Sequence, residues 1–191
     1  MNDAVQFDGY LDDQMLVAMP GMADPNFIRS VTLLCQHTSE GAIGITINRE
    51  SDFLLGDIFD QLELGCDDES LRGQLVLDGG PVHRDRGFVL HTPQEGYESS
   101  LGLGSDIMVT TSRDILASIA AGEGPEQFLV ALGYAGWGDG QLEDEMRQNA
   151  WLSVPADRGI IFDAPIADRW NRAVANLGVD ISNLHDVGGH A

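Results

Sequence analysis

The sequence predicts one compact acidic domain of mixed α and β structure, and three observations carry that prediction. Short apolar runs recur along the chain, bounded by Gly, Pro, Asn or Asp, as buried strands require. The stretch Phe128–Trp151 then changes period in mid-course. Its apolar run Phe128–Leu132 meets a turn crowded with Gly133, Gly136, Gly138 and Gly140, after which Leu142, Met146 and Ala150 recur at helical spacing. Finally, 191 residues with 43% apolar content bury a core without metals or disulfides. No internal repeat, linker or low-complexity tract divides residues 1–191. One domain is expected, with fraying ends at 1–13 and 179–191.

Taken in order, Met15–Met19 reads as a first strand, closed by Pro20-Gly21. Residues 20–30 form a loop in which Asp24-Pro25 favours a turn. Val31–Cys35 and Ala42–Asn48 are two strands whose short link, Gln36–Gly41, makes them a hairpin. Within 54–64, Leu55, Ile58, Phe59 and Leu62 share a helical face. The acidic segment Gly65–Gly73 reads as a mobile loop. Leu75–Leu77 runs into the sharp turn Asp78-Gly79-Gly80-Pro81, and Gly87–His91 is another strand. After a Gly/Ser-rich loop over 92–105, Ile107–Thr110 is a strand, and Thr111 or Ser112 caps a helix carrying Ile115, Leu116 and Ile119. Trp151–Val154 is a strand and Ile160–Phe162 a short apolar piece. The last helix starts near Pro165 and aligns Ile166, Arg169, Trp170, Ala173, Val174 and Leu177 before Gly178.

Charge narrows the function classes. Thirty-one acids face ten bases, all arginine, for a formal net charge of -21. Such a surface repels the phosphate backbone, so direct nucleic-acid binding is disfavoured. No apolar run approaches a membrane span, and the acidic start MNDAVQFDGYLDD lacks the features of a signal peptide. The expected location is the cytoplasm. Cys35 and Cys66 are lone thiols without zinc-ribbon spacing.

Four stretches hold candidate chemistry. The turn GYAGWGDG resembles a phosphate cradle, but no Lys follows, and Glu143, Asp144 and Glu145 occupy the helix start where an anion would sit. A tight turn that admits Trp137 to packing is the preferred reading. In an extended strand Cys35 and His37 share a face, which would permit an activated thiolate, yet Cys35 also shares it with Val31 and Leu33 as a core residue would. The pair lacks two further metal ligands, so no metal is expected. Arg84 and Arg86 follow the glycine turn at 78–81 and offer an anion or carboxylate site, against the alternative that they pair with Asp78 or Asp85. Asp24, Asn26 and Arg29 lie on a loop beside a strand end, where binding residues concentrate, although Asp24 also suits an Asx-turn.

Together, MPGMADPNFIRSVTLLCQHTSEGAIGITINR, GGPVHRDRGFVLH, SRDILASIAAGEGP, LVALGYAGWGDGQLEDEMRQNAWL and RWNRAVANLG resemble the YqgE/AlgH family of bacterial proteins, from about Met15 to Gly178. That resemblance implies an α+β single domain with a mixed, strongly curved sheet approaching a pseudo-barrel and helices packed outside. The family is named partly for a proposed role in regulating alginate production and carries a transcriptional-regulator label. It has no established enzymatic activity. For function the resemblance establishes little. A regulatory binding module acting through a protein or small-molecule partner, with no cofactor, is the first expectation, because it suits the acidic surface and the absence of a catalytic signature. The family's motif positions supply the expected binding residues: Asp24, Arg29, His37, Asn48, Gly79, Gly80, Arg86, Trp137, Gln141 and Glu143. Cys35 is the reactive-thiol candidate, Pro81 and Gly136 complete the motif set, and no catalytic residue is assigned. The loops around Asp24, His37, Arg86 and Gln141 are expected to form one polar patch. An enzyme built on Cys35 and His37 and a direct DNA-binding regulator are the alternatives.

Overall fold

The computed structural model describes residue 11 and residues 13–178. Apart from Leu11 and Asp13, the expected frayed ends lie outside the described residues. Ten strands and five α-helices follow one another as β1 (Gln14–Ala18), β2 (Val31–Thr38), β3 (Gly41–Thr46), β4 (Glu50–Leu54), α1 (Leu55–Gln61), α2 (Glu69–Arg72), β5 (Leu75–Asp78), β6 (Val82–His91), β7 (Ser100–Leu103), β8 (Ile107–Thr110), α3 (Arg113–Ala120), β9 (Phe128–Trp137), α4 (Gln141–Arg147), β10 (Trp151–Pro155) and α5 (Arg169–Asn176). A π-helical turn at Gly159–Asp163 and a 3-10 turn at Ile166–Asp168 precede α5.

The strands form one sheet in the order β10-β1-β2-β3-β9-β6-β8-β7, with β5 added on β9 and β4 on β5. Every pairing is antiparallel except β5 with β9, so the sheet is mixed, and it curls into a half-barrel. Alternation along the strands explains the curl's two faces. Met15, Val17, Leu33, Leu77, Leu90 and Ala131 point to an inner cluster that α5 closes with Trp170, Ala173 and Val174. Their neighbours point outward: Val76, Val89 and Val130 meet α1 and α3, while Leu16, Ala18, Leu34 and Ala135 meet α4. Leu142 of α4 is 1% exposed, and burial of such a side chain contributes about 1.5–3 kcal/mol.

Several sequence expectations are corrected. The glycine turn is mostly strand: β9 continues through Gly133 and Gly136 to Trp137, because β3 and β6 pair with it on both sides. Only Gly138–Gly140 turns the chain. Gly133 stands at φ 78° against Gly79–Gly80, and a Cβ on Gly80 would lie 2.1 Å from the Tyr134 carbonyl carbon. Two backbones thus approach where no side chain fits. The 65–73 loop contains α2, capped by Asp68 accepting from the Leu71 N–H at 3.1 Å. The 92–105 loop contains β7, and β4 precedes the first helix. Both strands are short and mostly exposed, so they carry no apolar alternation to read.

Candidate functional site

The expected binding residues gather into separate groups. His37, Trp137, Gln141 and Glu143 meet beneath α4. The Leu11 N–H donates to His37 Nδ1 at 3.1 Å, which leaves the neutral ring's proton on Nε2, and Nε2 donates to Glu143 Oε1 at 2.6 Å. Gln141 closes the turn: its Oε1 accepts from the Gly138 N–H at 3.0 Å, and its Nε2 donates to Glu145 Oε1 at 3.0 Å. The other Glu145 oxygen accepts two indole N–H groups, from Trp137 at 2.9 Å and from Trp151 at 2.8 Å. Phe27 packs against both rings, so the 20–30 loop is held over this clasp. In the glycine turn the Gly138 N–H is taken by the Gln141 amide oxygen and the Gln141 main-chain N–H by the Gly138 carbonyl. In the sequence Glu145 stands only as one of three acids at the helix start; the signal for its role is its place between two tryptophans, one helical turn inside α4.

Arg29 and Asn48 form a second group. Arg29 adopts φ 52°, and Asn48 holds it there: Nδ2 donates to the Arg29 carbonyl at 2.8 Å, while Oδ1 accepts the Val31 N–H at 2.8 Å. The Arg29 guanidinium lies 4.5 Å over the Trp170 ring. Gly79 and Gly80 act through backbone, where Thr46 N–H donates to the Gly79 carbonyl at 2.9 Å and the Gly79 N–H to Leu132 at 2.8 Å. Asp24 is an exposed Asx-turn residue, its Oδ1 accepting the Asn26 N–H at 2.9 Å. Arg86 is exposed on β6 with its guanidinium 5.5 Å over the Phe88 ring.

The shared face expected for Cys35 and His37 is corrected by a β-bulge. Between Leu34 and Gln36 the register of β2 on β3 shifts, leaving Cys35 as the extra residue. The alternation therefore slips by one. Cys35 packs with the inner cluster, while His37 faces α4 on the outer side. Burial pushes the Cys35 thiol up to about 12, and its Sγ lies 3.7 Å from the Leu33 carbonyl. That is the environment of an apolar core thiol, not of a thiolate nucleophile. Among the described residues no three His, Cys, Asp or Glu side chains gather in a metal-binding arrangement.

A second bulge opens a groove. Between Val82 and Gly87, β6 departs from β9, so His83, Arg84, Asp85 and Arg86 project from the sheet as exposed residues. Beneath them α1, β6 and the start of α3 enclose a concavity of about 560 Å³. Ile58, Phe88, Val89, Leu116 and Val130 supply an apolar floor, and Phe53, Arg84, Asp85 and Arg113 stand at its edge. Arg113 donates to the Leu62 carbonyl at 2.7 Å, whereas Arg84 joins no hydrogen bond or ion pair among the described residues. No helix of the described residues is long and apolar enough to cross a membrane.

Known proteins agree with this architecture. The model of the AlgH-like family matches residues 15–182. UPF0301 proteins of Xanthomonas oryzae pv. oryzae and Xanthomonas campestris pv. campestris are 50% identical over 181 residues, covering 95% of this chain and 96% of each relative. The solution structure of AlgH from Pseudomonas aeruginosa is 47% identical and superposes with a TM-score of 0.79 over 96% of this chain and 97% of that one. A crystal structure of DIP2367 from Corynebacterium diphtheriae, at 20% identity and TM-score 0.72 over 90% of both chains, shares the fold. On this sequence and structural agreement, the chain belongs to the AlgH-like, UPF0301 family.

Proposed function

We propose that the chain is a cytoplasmic regulatory binding module whose ligand is a small acid with an apolar body. It acts through that ligand and not by direct contact with DNA. The observation that carries this reading is the α1–α3 groove, about 560 Å³ with an apolar floor and two arginines at its edge. Small-molecule sites have this size and this balance of apolar wall and few polar groups. In a chain of net charge -21, Arg84 and Arg113 beside one apolar groove favour a carboxylate head there, although Asp85 narrows the choice of geometry. A ligand in the groove ties α1 to α3 and so changes the surface offered to a protein partner. The same net charge argues against a DNA-binding regulator. An enzyme built on Cys35 and His37 loses its support, since the bulge parts the two side chains and the thiol is held near 12.

The test is a backbone-amide NMR titration with octanoate, decanoate and dodecanoate against the matching alcohols. Saturable shifts along α1, β6 and α3 are expected, with acids binding about tenfold tighter than alcohols, the worth of one charge-assisted hydrogen bond. Phe53 is 47% exposed, so Phe53→Glu spares the core and is expected to weaken the acids about tenfold. Acids that fail to saturate, or that bind the variant as they bind wild type, overturn the reading.

A further inference from the structure

Away from the groove, Arg29 and Arg49 face one cavity of about 450 Å³ with Asn48, Asn171 and Trp170. Among the described residues the rest of its lining is aliphatic, and none of their carboxylates takes part. That composition is at odds with the chain as a whole, where acids outnumber bases thirty-one to ten. Among the described residues Arg72 pairs with Asp60 at 2.8 Å, Arg147 with Asp144 and Arg158 with Glu126, and the other arginines make no ion pair. What sets Arg29 and Arg49 apart is that both line one cavity with none of those carboxylates in its lining. Arg29 and Arg49 make no ion pair among the described residues. Glu50 and Asp168 are neighbours in sequence of the lining residues Arg49 and Ala167, yet neither lines the cavity.

The two guanidiniums are also held in place. Arg49 Nη2 donates to the Ile28 carbonyl at 2.8 Å, and Asn48 clamps Arg29 and Val31 of the same segment. Arg49 Nε is buried and has no hydrogen-bond partner among the described residues. A buried guanidinium N–H without an acceptor is costly, so its persistence asks what accepts from it. Arg29 is kept at φ 52°, an uncommon conformation for a side-chain-bearing residue, while its guanidinium lies against the Trp170 ring. Behind this wall Arg169, 3% exposed, donates to the carbonyls of Ala164 and Ile47 and makes no ion pair among the described residues. Its neighbour Trp170 and its acceptor's neighbour Asn48 both line the cavity.

We infer that this cavity is an oxyanion-binding site, built for the phosphate or carboxylate group of a small metabolite. Arg29 and Arg49 supply forked donors, the unpaired Arg49 N–H meets its acceptor in the bound anion, and the Asn48 and Asn171 amides complete the rim. The volume exceeds a bare phosphate, which leaves room for the rest of a small molecule.

The test follows the Arg49 Nε–H resonance while inorganic phosphate or citrate is added at fixed ionic strength. A saturable shift with either anion supports the site, and the anion that saturates distinguishes phosphate from carboxylate recognition. Asn171 is exposed on α5, so Asn171→Asp places a negative charge at the rim without touching the core. It is expected to weaken binding at least tenfold, while Arg147→Gln, on the exposed face of α4, leaves it unchanged. If neither anion saturates, or Asn171→Asp binds as wild type does, the assignment is wrong. Because the groove ligands are scored at different resonances, failure here leaves the groove reading standing, and the converse also holds.

Discussion

The clasp under α4 and the cavity at Arg29 and Arg49 are both polar, and both involve motif residues, yet their accounts close differently. Under α4 each donor meets an acceptor within the chain: His37 with Glu143, Gln141 with the turn, two indoles with Glu145. At the cavity, among the described residues, two cations make no ion pair and one buried N–H has no acceptor. A polar group whose partners all lie inside the fold has its free energy tied up in stability. One held rigid without partners is available to a ligand. Motif membership alone does not separate these cases; a hydrogen-bond account does.

The largest effects should come from positions where the fold itself consumes the motif residue. Gly80→Ala pushes a Cβ to 2.1 Å from the Tyr134 carbonyl carbon, backbone against backbone, and neither strand can yield. A loss of about 4 kcal/mol or more is expected in urea unfolding. A loss under about 1 kcal/mol would return Gly80 to the list of ligand-contacting positions. Glu145→Leu comes next, at about 3 kcal/mol, because it orphans the N–H groups of Trp137, 6% exposed, and Trp151, fully buried. Tryptophan fluorescence reports it directly, through a changed emission maximum in the folded state.

Acid offers a milder way to open a closed account. His91 is fully buried; its Nδ1–H donates to the Thr92 carbonyl at 2.8 Å, and its Nε2 accepts from the Thr110 hydroxyl at 2.7 Å. Burial holds its pKa below the ordinary value, with the Thr92 bond opposing in part. The unfolded chain therefore takes up the proton first as pH falls. The stabilisation is complete above about pH 6.5 and is lost as pH drops from there through the folded-state value. For one proton the slope is at most about 1.4 kcal/mol per pH unit. Urea midpoints measured from pH 7.5 to 5 should decline in the wild type, and His91→Gln should remove that part of the decline.

Much of this was legible in the sequence, and the limits were physical. Short apolar runs located β1, β8 and β10, and helical spacing located α1, α3 and α5, because burial writes itself into neighbouring residues. The glycines of β9 misled because they answer to Gly79–Gly80, more than fifty positions earlier, and a local window sees only their turn-forming character. The Cys35 bulge shifted one residue of register, which no side-chain period announces. For the sites, the residue types in the anion cavity were visible at Arg29 and Asn48. What was hidden was that α5 brings Trp170 and Asn171 against them, a juxtaposition of residues more than a hundred positions apart.

The smallest expected change is the one that tests the comparison most sharply. Arg29→Gln removes a guanidinium that is exposed and makes one ring contact at 4.5 Å, worth about 0.5–1 kcal/mol at such a position. The Asn48 bonds that shape the turn go to main-chain atoms and survive the substitution. Urea unfolding should therefore shift by no more than about 1 kcal/mol, while phosphate or citrate binding, read at Arg49, falls at least tenfold. A loss near 3 kcal/mol would put Arg29 in the same class as Glu145, a residue whose charge is spent on holding the chain together. The cavity would then be a second clasp, and the contrast between the two regions would disappear. A stable variant that no longer binds the anion places the Arg29 charge in the ligand's service, which is the distinction that the unpaired Arg49 N–H first drew.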